Sequence, residues 1–485
     1  MRYFICIAII LFTAFSVYPQ DKAIGHDLSL AAVSQLALEN NLDIKIAKLD
    51  AYMTRFDLDK DYSLFDTYLN MSASHSDNQT RPPSIILGSK ALQDAYSFSL
   101  EKRLPSGTSI AIEGTHARDW TDSVFSSTNP AIEAKATVTL TQSLGKNFFG
   151  LIDRLGIAIT KLDIESSDWL SLNDIETSLA DTQKAYWQLV LAQAELAIKK
   201  NNLTDAQALY RAYQDKSDLG LIEDPDIYAS GANVLLRQSE VSVAELGRTT
   251  AKNNLLFLLN EENTSVEIRP QDPLDLEPES IDLAAELTSA INNRRDYKIA
   301  KNTLEADDID LRIKNNSLWP EIDLQASYAR NGLSSRYKDS WEQITDQDNP
   351  EYFAGITVRL PIENRFARAD QEQAKLNKEK GLLSLKRVER LILRELHDQV
   401  ARVNTFAGQI TLYRKAAELQ GDKLKAEKIR FKNGRSNSDL IIRYEEDLLE
   451  SQLRLVRTLY GYRASRIELE VMKNTLLDAY WKDSL

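Results

Sequence analysis

The sequence predicts an α+β fold built from a duplicated unit, in which β-strands are combined with long coiled-coil helical hairpins. Three observations lead to this prediction. A nineteen-residue stretch that begins at Leu30 recurs at Leu283 with ten identical positions, including KIAK in both copies. Two long stretches, 145–217 and 364–432, contain no proline. Short runs of alternating polar and apolar residues lie at matching places in both halves, so the whole unit is repeated.

The duplication divides the chain into four segments. They are a signal peptide at 1–20, a first repeat at 21–260, a linker at 261–280 and a second repeat at 281–485. The signal peptide is expected from Arg2 and the apolar run that follows it, and a membrane anchor is the alternative. The linker holds three prolines and many acids, so it cannot be helical throughout.

Composition excludes several classes of protein. With 43% hydrophobic and 27% charged residues, the chain has the make-up of a folded protein. The net charge of −13 argues against a nucleic-acid partner, because phosphate binding needs a basic face. The only cysteine, Cys6, lies in the apolar run of the signal peptide. No later segment approaches 18 apolar residues, so entry into a membrane would require a β-barrel.

The first repeat begins with a helical pattern over 28–60 and continues with strands. Alternating runs predict strands at 66–75, 95–103, 108–116 and 132–144. The second and third flank the sequence LPSG, which is typical of a hairpin turn. In the second repeat, the corresponding strands are predicted at 321–329 and 352–362, on either side of a polar loop at 330–350. Short turns at one end and long polar loops at the other are typical of outer-membrane barrel strands.

The helical stretches carry a heptad pattern. Apolar residues recur every seven positions at Leu396, Val403, Ile410, Ala417 and Leu424, and a second series fills the interleaved position with Leu393, Val400 and Ala407. This spacing keeps one stripe of a helix against a partner helix. Each repeat is therefore predicted to hold two long helices, joined by a tip turn near 218–226 in the first repeat and near 432–439 in the second.

This order of elements resembles the TolC-like outer-membrane efflux channel family. The residues that carry the resemblance are ALENNLDIKIAK with its repeat, SLWPEIDLQASY, TLTQSLGKNFFG and the two tip turns. The resemblance implies a homotrimer with a shared β-barrel in the outer membrane and an α-barrel that extends into the periplasm. It also implies a passive exit duct of a tripartite efflux or type I secretion system, opened by a periplasmic adaptor and an inner-membrane pump. The implied partners thus include outer-membrane lipid and no nucleic acid.

The number of strands departs from this resemblance. The family typically gives four strands per protomer to the barrel, whereas the sequence offers six candidates. We expect the family number, with the hairpin at 95–116 outside the barrel wall. A wall of six strands per protomer is the alternative.

The resemblance places function at the tips, where the adaptor would bind. The expected contact residues are Leu219, Gly220 and Leu221 in the first tip and Gly434 and Arg435 in the second. A glycine that merely ends a helix is the competing interpretation.

Acidic residues at the tips are the candidates for a periplasmic gate. Asp439 falls where the family has a gate aspartate, and Glu223, Asp224 and Asp226 lie in the other tip. Three copies would form a carboxylate ring that favours cations, with Arg435 and Arg443 available to pair with it. A solvated turn explains the same acids without any ring.

The sequence indicates no enzyme, cofactor or metal site. Its four histidines lack ligand spacing, and neither a P-loop nor GxGxxG is present. Tyr62 and Tyr68 replace the glycine and glutamate that a calcium loop starting at Asp57 would need. Two other functions remain open: a periplasmic adaptor, which has long hairpins but usually only one, and a structural coiled-coil protein of the envelope.

Overall fold

The computed structural model describes residues 27–80, 86, 88–218, 224–346, 349–433 and 435–480. The expected signal peptide therefore lies outside the described residues. The main elements are, in chain order, β1 (Asp27–Leu28), α1 (Leu30–Asn40), α2 (Leu42–Tyr62), β2 (Thr67–Asn78), β3 (Ala91–Arg103), β4 (Thr108–Thr121), β5 (Ala131–Ser143), α3 (Leu151–Asp218), α4 (Asp224–Leu258), β6 (Arg269–Pro270), α5 (Leu283–Asn293), α6 (Arg295–Asn316), β7 (Glu321–Ser334), α7 (Tyr337–Asp346), β8 (Pro350–Arg359), α8 (Arg365–Lys432) and α9 (Ser438–Lys473).

The duplication predicted from the sequence is confirmed in the lengths of the helices. Helices α1 and α5 each have 11 residues, and α2 and α6 have 21 and 22. Helices α3 and α8 each have 68 residues, and their partners α4 and α9 have 35 and 36. Each repeat thus consists of two short helices, a group of strands and one long hairpin.

Side-chain caps fix where the short helices begin. The Ser29 hydroxyl accepts a hydrogen bond from the Ala32 backbone N–H at 3.3 Å, and Asp282 caps α5 in the same way. Asn41 separates α1 from α2, because its Oδ1 accepts from the N–H groups of Asp43 and Ile44 at 2.8 and 3.2 Å. These caps satisfy backbone donors that a helix start leaves unpaired.

The six long strands form one antiparallel sheet in the order β2-β3-β4-β5-β7-β8. The hairpin of β3 and β4 lies between β2 and β5 and pairs with both. Its turn is the predicted LPSG, where Gly107 adopts a positive φ of 71° and donates to the Leu104 carbonyl at 2.9 Å. Within this chain the hairpin therefore belongs to the same sheet as the other four strands, because the pairing of β3 and β4 continues across the sheet without a break.

The two faces of the sheet differ in polarity along its whole width. One row across all six strands is apolar, made of Leu69, Leu100, Ile112, Val138, Tyr328 and Tyr352. The next row, on the opposite face, consists of Asn70, Ser99, Glu113, Thr137, Ala329 and Glu351. Successive residues of a strand point to opposite faces, so the period-two pattern read from the sequence gives one apolar and one mainly polar face.

The loop predicted at 330–350 is partly ordered. Strand β7 extends to Ser334, and the short helix α7 follows it. Helix α7 packs directly on the backbone of β7, since a Cβ at Gly332 would collide with the Ser340 carbonyl oxygen. His116 lies beneath it, with its ring centre 4.9 Å from that of Tyr337 and 5.8 Å from that of Trp341.

The long helices pack as hairpins, α3 with α4 and α8 with α9. Leu396, Val403 and Ile410 of the predicted seam are fully buried, and Leu424 is nearly so. Leu393 of the interleaved series is an exception, since about half of its side chain is exposed. Among the described residues, no helix is both long enough and apolar enough to cross a membrane.

The largest core joins the two repeats. Ile175, Leu179 and Tyr186 of α3 lie in it together with residues of α1, α4, α8 and α9. The Tyr186 hydroxyl donates to Asp272 at 2.6 Å, and the same carboxylate accepts from the Leu30 backbone N–H at 2.6 Å. This core fixes the start of the first repeat and the segment between the repeats to the long helices.

Candidate functional site

The candidate site is the tip region, which we define as the ends of α3, α4, α8 and α9 around 205–239 and 423–447. Since α3 starts beside the sheet and rises ~1.5 Å per residue, its far end lies on the order of 100 Å from the sheet. Of the predicted contact and gate residues, Leu219, Gly220, Leu221, Glu223 and Gly434 lie outside the described residues. Asp224 is the first residue of α4.

The second tip begins its helix with a side-chain cap. Asn437 accepts a hydrogen bond from the Leu440 N–H at 3.1 Å, and α9 starts at Ser438. Asp439 therefore lies in the first turn, where the helix dipole favours a negative charge. Its side chain is exposed, as are those of Arg435 and Arg443. None of these three residues forms a salt bridge with any residue that the structure describes.

The two tips are joined by a hydrogen bond. The hydroxyl of the buried Ser438 donates to Asp226 Oδ1 at 3.1 Å. Tyr213 of α3 is buried beside them, and its ring centre lies 5.5 Å from that of Phe431 on α8. Burial raises the pKa of the Tyr213 phenol, and the charges of Asp226 and Asp439 act in the same direction. The structure thus brings two of the predicted acids to one place.

A buried polar layer below the tip was missed by the sequence analysis. Lys428 of α8 lies 2.8 Å from Asp205 of α3 and 3.0 Å from Glu445 of α9. Glu445 is only 2% exposed, and burial raises the pKa of its carboxyl although the Lys428 charge opposes this. The sequence gives little sign of this burial: Glu445 lies four residues before Leu449, so helical spacing puts it on the same face of α9 as that buried apolar residue, but heptad spacing does not mark its position.

The described part of the tip region offers contacts and charge. Over the described ranges, no three His, Cys, Asp or Glu side chains converge on a point that could hold a metal ion. The tip contains an ion-pair layer, a hydrogen bond between hairpins and exposed charges at the very end. Such groups can set how firmly the hairpins are held together and which ions approach them.

Comparison with known proteins agrees with the fold. Residues 287–473 match the family model described as outer membrane efflux protein. No curated protein matches the sequence. The family match lies in the second repeat and includes α8, the second tip and all of α9.

Solved structures resemble the chain over nearly its whole length. The CmeC outer membrane channel of Campylobacter jejuni matches with a TM-score of 0.70 at 16% identity, covering 92% of this chain and 85% of that one. CusC matches with a TM-score of 0.70 at 15% identity over 95% of both chains. The outer membrane protein VceC of Vibrio cholerae matches with a TM-score of 0.68 at 15% identity, over 92% and 95%. At these identities the likeness establishes the fold, and together with the family match it confirms the resemblance found in the sequence.

Proposed function

Since its second repeat matches the outer membrane efflux protein family and its fold is that of solved outer-membrane channels, we propose that this protein is the passive exit duct of a tripartite efflux or type I secretion system. The proposal rests chiefly on the pair of 68-residue helices, α3 and α8. Both extend from one sheet that has an apolar face and a mainly polar face. A duct of this shape would lie in the outer membrane and extend into the periplasm.

The unpaired edge strands of the protomer support assembly with further copies of the chain. Neither β2 nor β8 has a second strand partner among the described residues. An open edge of this length invites pairing with another chain, and only closure removes every edge within lipid. Copies of the same chain are the natural partners, as the resemblance to trimeric channels also implies.

The tips are the proposed point of control. Leu219, Gly220, Leu221, Gly434 and Arg435 would meet a periplasmic adaptor. Asp439 and Asp226, with Glu223 and Asp224, would line the mouth when three copies come together. The energy for transport would come from an inner-membrane pump, because the sequence carries no nucleotide-binding motif.

The proposal is tested by extracting the full-length product from membranes in detergent and imaging it by electron microscopy. We expect a hollow three-fold particle with a helical tube on the order of 100 Å long and a shorter barrel at one end. A solid rod, a monomer or recovery solely in the soluble fraction would overturn the exit-duct function. The two alternatives, an adaptor or an envelope coiled coil, would then account for the hairpins.

A further inference from the structure

The first repeat carries two strands that the second repeat lacks. In the second repeat, β7 and β8 are neighbours in the sheet and are connected through α7. In the first repeat, β2 and β5 are the corresponding strands, but β3 and β4 separate them. The hairpin is thus an insertion at the point where the second repeat has α7, and it has entered the sheet itself.

The inserted hairpin has the same two faces as the rest of the sheet. On β3, Phe98 and Leu100 belong to the apolar face and Ser99 to the polar face. On β4, Ile112 continues the apolar row and Glu113 the polar one. Phe98, Leu100 and Ile112 are 40–45% exposed in the protomer. An apolar surface that continues across the whole sheet needs a common apolar environment.

With an even number of strands, the two edge strands of the sheet can pair with those of neighbouring copies to close a barrel. Strand β2 leaves the helical end of the sheet and β8 returns to it, so the two edges run in opposite directions. Strand β2 has 12 residues, all exposed, and β8 has 10 residues, of which nine are exposed. Joining β8 of one copy to β2 of the next would continue the antiparallel order, with the apolar face on one side throughout.

On the basis of the proposed trimeric duct, we propose that the β3–β4 hairpin is part of the barrel wall, so that three copies close an eighteen-stranded barrel with a wide exit. With ~4.8 Å between strands and a tilt of ~40°, eighteen strands give a backbone diameter of about 36 Å, against about 24 Å for twelve. Inward side chains reduce each value by roughly 10 Å, which leaves room for about two packed helices rather than one. The exit would therefore admit bulky polymer cargo, such as a partly folded polypeptide.

Cysteine labelling in outer-membrane vesicles tests where the hairpin lies. Single variants Ser99→Cys and Leu100→Cys report on β3, and Ser327→Cys with Tyr328→Cys is the matched pair on β7. In both strands the serine is on the polar face and half-buried in the protomer, whereas the apolar residue is 40% exposed. A water-soluble maleimide should label both serine sites at least tenfold faster than the two apolar sites, because lipid covers the latter.

The outcomes separate this inference from the function on which it depends. The first contrary outcome is slow labelling of Tyr328→Cys relative to Ser327→Cys on β7, but equally fast labelling of Leu100→Cys and Ser99→Cys on β3. The hairpin would then lie outside the wall and the inference would be wrong, whereas the proposed duct would stand. If neither strand shows protection, the sheet is not in lipid and the duct proposal fails as well. Strand counting in a cross-section of the imaged trimer provides the second measurement: a wall of twelve strands about 24 Å across would overturn the wide exit.

Discussion

Arg295 and Glu176 form a buried ion pair that joins the two repeats. Arg295 opens α6 in the second repeat and donates from its guanidinium to Glu176, which lies within α3 of the first. Their side chains are 7% and 0% exposed. Glu176 also accepts from Asn474 Nδ2 at 2.8 Å and from the Leu477 N–H at 3.2 Å. One carboxylate therefore holds together α3, the start of α6 and the segment that ends α9.

Removing Arg295 without removing Glu176 should destabilise the protein. In Arg295→Met the Glu176 carboxylate stays buried without its charge partner, which typically lowers the free energy of unfolding by about 3–5 kcal/mol. We expect a markedly lower thermal midpoint for the purified protein in detergent. In the double variant Arg295→Met/Glu176→Gln no buried charge is left unpaired, so much of the loss should be recovered.

Arg414→Met is the control for a surface pair. Arg414 lies 2.8 Å from Asp275 and 3.2 Å from Glu277, but the two acids are 71% and 91% exposed. Exposed pairs are worth about 0–1 kcal/mol. If the thermal midpoint falls no further in Arg295→Met than in Arg414→Met, the buried pair does not hold the repeats together.

The buried Glu445 should make stability depend on pH. Its pKa is raised in the folded protein, so the folded state binds a proton more tightly than the unfolded state. The contribution of Glu445 to the free energy of unfolding is then largest below the ordinary pKa of a glutamate, and it declines as the pH rises through the raised value. Glu445→Gln should remove this decline and raise the thermal midpoint at pH 8. Lys428 would keep Asp205 as its partner.

Glu446→Gln is the matched control for this prediction, since Glu446 is the next residue along α9 and is exposed. It should shift neither the midpoint nor its pH dependence. Thermal unfolding between pH 4.5 and pH 8 is measured for the natural protein, Glu445→Gln and Glu446→Gln. A lower midpoint for Glu445→Gln at pH 8 would mean that the ion pair with Lys428 outweighs the cost of burying the carboxylate.

The sequence was sufficient to predict the repeat, the strands and the seam, because each has a regular period. Alternation at two residues gave β7, and the heptad series gave the buried Leu396 and Val403. The repeat was found by identity alone, at LAAVSQLALENNLDIKIAK. These features depend on local order along one chain, which a single sequence displays.

Features that depend on pairing between distant segments were harder to predict. Nothing in the sequence of β3 states that its neighbours are β2 and β4 within one continuous sheet, and the strand number of the resembled family is what places the hairpin outside the barrel wall. Helix α7 was assigned to a loop because its sequence, YKDSWEQITD, is mostly polar, and its fold depends on contacts with β7 and His116. Glu445 was overlooked because only the surrounding helices make its position buried.

The close approach of α7 to β7 gives a steric prediction. Any side chain at Gly332 would meet the Ser340 carbonyl oxygen, so Gly332→Val should lift α7 from the sheet. Ser340 is fully buried, and a cysteine introduced there should react with a maleimide only after this displacement. Comparing Ser340→Cys with and without Gly332→Val measures the effect. Equal protection in both would show that β7 and α7 can accommodate the side chain without separating.

Asp439 provides the test of the gate. If three copies of this exposed acid surround a narrow mouth, their carboxylates attract cations and hold them there. In planar bilayers, a multivalent cation added on the tip side should then block the current through the natural channel. Asp439→Asn should weaken the block at least tenfold and leave the trimer intact.

The control for the gate is Asp422→Asn, which removes another exposed acid that lies ten residues before the end of α8. It should leave the cation block unchanged. Since salt screens exposed charges over about 10 Å at 0.1 M, the difference between the two variants should shrink as the salt concentration is raised. An unchanged block in Asp439→Asn at low salt would exclude a carboxylate ring at this residue and leave Asp439 as a solvated acid that stabilises the start of α9.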